Sequence, residues 1–214
     1  MSAPTGSAIW PGGIILAALA AICTALVAMT HAVTAPRIAA NEQAYLEQSL
    51  QPVLQGIEYD GKLSESTIVI PPPHDLPGDD PMTVYRVYAD GEPVAALFVV
   101  EARGGFSGSI RLLVGLDVGG TVTGVRVLSH RETPGLGDRI DADKSDWALQ
   151  FTGHALGDPP AAGWAIRRDG GEFDQLTGAS ITPRAVIRGI RETLQYFADH
   201  REAVFAKSGG EDDE

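Results

Sequence analysis

The first 36 residues contain no Asp, Glu, Lys or Arg, and the earliest charge is Arg37. Within that leader, Ile9 to Thr30 reads IWPGGIILAALAAICTALVAMT, 22 residues with an apolar stretch from Ile14 to Met29. About 20 residues of helix, at about 1.5 Å rise each, cross the hydrocarbon of a bilayer. The segment therefore reads as a transmembrane helix in contact with the lipid bilayer. Trp10 suits an interface position, and Pro11 is tolerated in a first helical turn. A cleaved signal peptide, cut near Ala28-Met29-Thr30, is the rival reading. Against it stand the missing positive n-region and an apolar run longer than a signal core.

Orientation is weakly encoded. Arg37 follows the span and no basic residue precedes it, so the positive-inside rule by itself would leave the following domain in the cytoplasm. The formal net charge is -12, from 16 basic and 28 acidic residues. With no Lys/Arg cluster, that balance excludes nucleic acid as a partner class. The single cysteine, Cys23, lies in the leader, so disulfide frameworks and cysteine-ligated clusters within the chain are excluded.

The pattern divides the chain into an N-terminal tail (1–8), a transmembrane helix (9–30), a juxtamembrane helical linker (31–54), a folded domain (55–206) and a disordered acidic tail (207–214). In the linker, Ile38, Tyr45, Leu46 and Leu50 recur at loosely helical spacing. STIVIPPP is a short strand stopped by prolines. Thr83 to Ala102 reads as a hairpin turning at Asp90-Gly91, and Ile110 to His130 as a second turning at Gly119-Gly120. No helix of 10–15 residues separates these runs, so the sheet is antiparallel or mixed rather than built from βαβ units. Ser145-Asp146 opens a short helix over WALQFTG, ended by Gly153. Pro183 to about Ala206 is the last helix, with Val186, Ile190, Leu194 and Phe197 as its apolar stripe. The fold class is α+β, with a mostly antiparallel sheet and a C-terminal packing helix.

Three segments stand out chemically. EARGGFSGSI (101–110) is either a flexible sheet connection or a surface for close backbone approach, with Phe106 among its glycines. It lacks the strand–turn–helix context of a dinucleotide fingerprint and the Gly-Lys-Ser/Thr of a Walker loop. SHRETPGLGDRID (129–141) specifies two tight turns around Leu136 and crowds in His130, Arg131, Glu132, Asp138 and Arg139. His130 has no neighbouring Cys or His, which leaves no metal site. FDQLTGASITPRAV (173–186) places three hydroxyls around a Gly-Ala pair before the last helix. Capping explains Thr182 as N-cap and Pro183 as N1. It leaves Ser180 over.

The apolar span, GGFSGSIRLLVGLD, HRETPGLGDRI, SDWALQF and FDQLTGASITPRAV, in that order, resemble the RnfG (RsxG) family, a component of the bacterial Rnf electron-transport complex. Its FMN-binding domain is shared with the NqrC component of the sodium-pumping NADH:quinone reductase. The resemblance implies an FMN joined through a phosphoester to the last hydroxyl of a Ser/Thr-Gly-Ala-Thr motif, attached by a separate flavin transferase. By position, Thr177, Gly178 and Ala179 match the lead-in, Asp174 belongs to the sequence the transferase reads, and Ser180 falls at the flavinylated residue, where the family usually has threonine. It implies further that the domain faces the periplasm from the bacterial inner membrane, which overrides the charge reading from Arg37. The flavin would relay electrons beside the other Rnf subunits (A, B, C, D and E), in a complex that couples flow between reduced ferredoxin and NADH to ion movement.

Serine and threonine both offer an esterifiable hydroxyl; threonine's methyl restricts χ1 further. Beside Ser180, Thr182 and the helix N-terminus favour a phosphate, and Arg184 in the first turn adds charge-assisted donors. Thr133, Gly135, Leu136 and Gly137 are expected to meet the flavin ring. No nucleophile–base pair is evident, and the resemblance implies an electron-transfer subunit rather than an enzyme by itself. The competing reading is a scaffold or assembly subunit with no working flavin.

Overall fold

A computed structural model describes residues 9–54, 56–60 and 66–206. The tails expected at 1–8 and 207–214 lie outside the described residues. The chain divides into two compact units, 1–45 and 46–214.

Helix α1 runs from Ile9 to Val53 without a break. The expected transmembrane helix (9–30) and helical linker (31–54) run on as one helix, Pro36 included. A proline inside a helix removes one backbone hydrogen bond. The preceding turns have satisfied hydroxyls, because Thr30 Oγ1 donates to Leu26 O and Thr34 Oγ1 to Thr30 O, each at 2.8 Å. Such back-bonding lets threonine sit in a helix without an unpaired polar group. The stretch long and apolar enough to cross a membrane is Gly12–Ile38, 27 residues. Ile14, Leu16, Leu19, Leu26 and Val27 on it are all more than half exposed and need lipid around them rather than water. The chain is thus a single-pass membrane protein.

Five strands follow: β1 (Thr67–Ile70), β2 (Met82–Ala89), β3 (Glu92–Ala102), β4 (Ile110–Asp117) and β5 (Val122–Ser129). They lie in chain order and every pairing is antiparallel. The β2–β3 turn has positive φ at both Asp90 and Gly91, as a tight hairpin twist demands.

Strands β3 and β4 read as continuous apolar runs because both faces are covered. Ala96, Phe98, Val100, Leu112 and Val114 face α2 (Ile181–Phe205), which supplies Val186, Ile187, Ile190, Leu194 and Phe197. Ala95, Leu97, Val99 and Leu113 face the end of α1, where Leu50, Val53 and Leu54 close a second, smaller cluster. Each fully buried side chain of this size stabilises the fold by about 1.5–3 kcal/mol. Phe98 meets the edges of Tyr196 and Phe197, with centroids 6.4 and 6.0 Å apart.

Two glycines set the close approaches. A Cβ on Gly189 of α2 would lie 2.7 Å from Ala102 Cβ, so the helix start is drawn against the end of β3. A Cβ on Gly124 would lie 3.0 Å from the Val53 Cα, so β5 and the end of α1 touch backbone to backbone. The short helix expected after Ser145 is a 3₁₀ turn, Asp146–Phe151, capped by the Ser145 hydroxyl accepting from Trp147 N–H at 3.2 Å. It packs through an aromatic chain, Trp147–Phe151–Phe173–Trp164, with centroids 4.8–5.1 Å apart.

Gly124→Val places branched carbons against the α1 backbone, which cannot rotate away as a side chain would. It should cost about 1–3 kcal/mol and speed amide exchange over Leu50–Leu54, with α2 amides less affected. Hydrogen exchange on the purified full chain measures both.

Candidate functional site

The loop before α2 is a tight turn, with Ala179 N–H donating to Leu176 O at 3.1 Å and Gly178 at φ +83°. A side chain at Gly178 would be strained by that φ and would press on Leu136 Cδ2 at 2.9 Å. Helix α2 begins at Ile181, two residues earlier than expected. Thr182 is therefore not the N-cap and Pro183 is not N1. Pro183 is the third helical residue, where the missing N–H still costs nothing.

Thr182 is fully buried, and its hydroxyl donates a short hydrogen bond to Glu132 Oε2. Thr182 lies inside the first turn, past the N-cap position, and its hydroxyl proton goes to the carboxylate in a charge-assisted bond. Glu132 is itself 5% exposed, and its other oxygen accepts from Ser107 N–H at 3.0 Å. One carboxylate thereby joins the 104–108 loop, the 131–137 loop and the first turn of α2. Gly137 has to lack a side chain, since a Cβ there would sit 2.8 Å from both Glu132 Oε2 and Thr182 Oγ1.

Ser180 occupies the N-cap position with φ -91° and ψ -19°, and its side chain makes no cap hydrogen bond. Its half-buried Oγ accepts from Arg184 Nη1 at 3.2 Å. The same guanidinium donates from Nε and Nη2 to both carboxylate oxygens of Asp169, at 2.6 and 2.8 Å. Those bonds hold the Asp169 carboxyl below its ordinary range and raise Arg184 in turn.

Ser180 opens onto a cleft of about 150 Å³ lined by Thr133, Leu136, Gly137, Gly178, Ala179 and Thr182, with Phe106, Glu132 and Ile181 completing the wall. Phe106 and Leu136 are 64% and 42% exposed, an apolar pair at the mouth. Four of the expected residues lie off this cleft. Gly135 turns outward with nothing near its Cβ position, Thr177 is exposed, and Arg184 lines a neighbouring cleft while reaching Ser180. Asp174 is exposed and pairs with Arg167 at 3.0 Å. Its backbone is clamped, with Trp147 Nε1 donating to its carbonyl at 2.7 Å and its own N–H donating to Gln150 Oε1 at 2.6 Å.

The charged crowd at 130–139 sorts into structure and surface. His130 Nδ1 accepts the Glu132 N–H at 2.9 Å, which leaves the proton on Nε2 to donate to Asp141 Oδ2 at 3.0 Å. Lys144 hydrogen-bonds Asp138 at 2.8 Å and holds that carboxyl below its ordinary range. Arg131 and Arg139 are exposed. No metal-binding group of three or more His, Cys, Asp or Glu occurs among the described residues. Glu132 and Phe106 are the cleft-lining positions that the sequence motifs underweighted. For Glu132 the local signal is an acid that follows a strand and precedes a Pro-Gly turn; for Phe106 it is an aromatic set among glycines.

A family model described as an FMN-binding domain matches residues 105–195, and a second, for the RnfG N-terminal region, matches 1–53. The G component of the ion-translocating oxidoreductase complex of Pseudoalteromonas atlantica (strain T6c / ATCC BAA-1087) is 41% identical over 196 residues, covering 92% of this chain and 91% of that one. The protein of the same name from Vibrio vulnificus (strain YJ016) is 42% identical over 198 residues, covering 92% and 93%. The crystal structure of Shewanella oneidensis NqrC aligns with a TM-score of 0.49 at 22% identity, over 69% of this chain and 76% of that one. At this identity to its relatives, and over nearly its full length, the chain belongs to the RnfG family of ion-translocating oxidoreductase complexes.

Proposed function

We propose that the chain is the membrane-anchored flavin subunit of such a complex, with FMN esterified through its phosphate to Ser180 Oγ. The observation that carries this reading is the division of labour between two hydroxyls. Thr182 is committed to Glu132, whereas Ser180 stands at the helix N-terminus with no cap bond to make. Its hydroxyl is accessible and free to be esterified.

The surroundings fit the group. First-turn N–H groups of α2, at Ile181 and Thr182, have no partner within the helix and favour a phosphate. Arg184, already on Ser180 Oγ and steadied by Asp169, supplies a fixed positive charge beside it. A cleft of about 150 Å³ is too small to enclose a ligand of this size, for which pockets of roughly 300–1,000 Å³ are usual. Leu136 and Phe106 would therefore offer the ring one apolar contact at the mouth of the cleft rather than enclose it. Thr133, Gly137, Gly178 and Ala179 complete that contact, and Gly135 allows the turn that carries Leu136. When bound, the flavin supplies the electron chemistry; the protein supplies attachment, charge and position.

Asp174 and Thr177 are assigned to recognition by a flavin transferase. Both are exposed, and the Trp147 and Gln150 clamp presents Asp174 on a fixed backbone. The remaining assignments follow the family: a bacterial inner membrane, a periplasmic domain, the other Rnf subunits (A, B, C, D and E) as partners, and a redox reaction between ferredoxin and NADH coupled to ion transport.

Co-expression with the transferase should give a Ser180 peptide heavier by FMN less one water. Ser180→Ala should remove in-gel flavin fluorescence while leaving membrane insertion intact, and Ser180→Thr should retain both. Fluorescence persisting in Ser180→Ala would place the flavin elsewhere, and its absence from the wild type would favour the scaffold reading. A second expectation concerns the support. Thr182→Val leaves a buried Glu132 oxygen without its donor and should cost about 1–3 kcal/mol, lowering the melting temperature and the flavin yield together. Thr182→Ser should restore both.

A further inference from the structure

Ile181 stands between two clefts and lines both. The flavin reading uses the smaller. The larger, about 570 Å³, has Trp164 and Ile187 in its apolar lining and a run of arginines along α2. Arg184, Arg188 and Arg191 follow at steps of four and three, so they share one helix face over about 10 Å.

Their commitments differ. Arg184 is held by Asp169. Arg188 donates to the Arg103 carbonyl at 3.1 Å and makes no ion pair among the described residues. Arg191 has neither an ion pair nor a hydrogen bond among them. Against these two free guanidinium charges the cleft offers one acid, Glu192. On a chain of net charge -12 this is a local reversal of sign. Three further observations separate it from an ordinary solvated helix face. The charges line a concavity, they sit beside apolar surface, and all three are arginine, the more weakly hydrated cation and the one suited to bidentate carboxylate pairing.

We propose that this cleft is the docking surface for an acidic, projecting loop of the protein that exchanges electrons with the flavin. The proposal rests on the assignment of flavin to Ser180. Arg184 both lines the cleft and donates to Ser180 Oγ, so a partner seated there is held within one side chain of the attachment point. Carboxylates on the partner complement Arg188 and Arg191, and the acidic remainder of the chain disfavours the same partner elsewhere. A lipid headgroup layer is a poorer match, because a flat anionic plane does not enter a concave cleft.

The test uses the intact complex carrying wild-type chain, Arg191→Glu, Arg191→Gln or Arg188→Glu/Arg191→Glu, none of which touches Ser180 or Glu132. Three readouts are taken: in-gel flavin fluorescence, retention of the chain when the detergent-solubilised complex, immobilised through another subunit, is washed with salt, and the rate of reduction of its flavin by NADH and by dithionite. Equal fluorescence is expected in all four. The double variant should wash out at lower salt, and NADH-driven reduction should slow about tenfold or more, as expected when steering charges are reversed. Arg191→Gln should show a smaller loss, and dithionite, which needs no docking, should reduce every form alike. Unchanged NADH rates and retention in the double variant overturn the proposal. So does a fluorescence loss confined to the Glu variants, which would assign the arginines to the cofactor. An effect seen only after reconstitution with phosphatidylglycerol, and not with neutral lipid, would assign the surface to the membrane. Absent fluorescence in the wild type sinks the Ser180 assignment instead, and docking is then decided by retention alone.

Discussion

The buried carboxylate of Glu132 is the interaction on which the site's geometry depends. A carboxylate out of water is tolerated only when donors surround it, and here they come from two distant segments, the Ser107 N–H and the Thr182 hydroxyl. Meeting both fixes the distance between the glycine loop after β3 and the first turn of α2. The Glu132 N–H is itself taken by His130, whose other nitrogen is held by Asp141. The residue can therefore neither swing out nor shift along the chain. Phe106, Leu136 and Ser180 converge because the segments bearing them are tied to one group. The glycines are consequences of the same arrangement, since Gly105 and Gly137 each leave room that a Cβ would take from Glu132.

The sheet and its two covers supply the rigid frame. Gly189 lets α2 lie close on Ala102, which brings the helix start level with the loop that β3 leads into. The aromatic chain from Trp147 to Phe173 does the same for the incoming strand of loop, ending at the clamped backbone of Asp174. As the proposed attachment residue, half-buried Ser180 on such a frame would combine two needs that usually conflict. It must be reachable by a modifying enzyme, and it must afterwards hold a cofactor in one place.

The strands were legible because their signals are local: two turns with the right residues, alternation on β2, and apolar runs of strand length. The split of β3 into two faces was not, since burial on both sides erases the alternation that would reveal it. Near residue 30 the composition changes but the helix does not, because helix geometry is indifferent to it. The motif around Ser180 could be read, yet Thr182-Pro183 gave the wrong helix start. Thr182 lies inside the first turn and donates to an acceptor 50 residues away, and no sequence window contains both partners. Glu132 was hidden for the same reason. It reads as one charge among five and becomes singular only when its two donors arrive from separate elements.

If Ser180 carries the flavin as proposed, the methyl that a threonine would bring there has a local substitute. Threonine's extra methyl narrows χ1 and so directs whatever its oxygen carries. Ser180 lacks that steric guide, but its Oγ is met by a guanidinium whose other two donors are fixed on Asp169. An arginine held by a bidentate pair has little freedom left to lose, so its remaining donor imposes a direction on the serine oxygen. The orientation a methyl would enforce by exclusion is instead enforced by attraction. That attraction should also persist where a neutral constraint would give no help. A phosphodiester on Ser180 would carry negative charge, and the Asp169–Arg184 pair would present its cation to that charge from a fixed side.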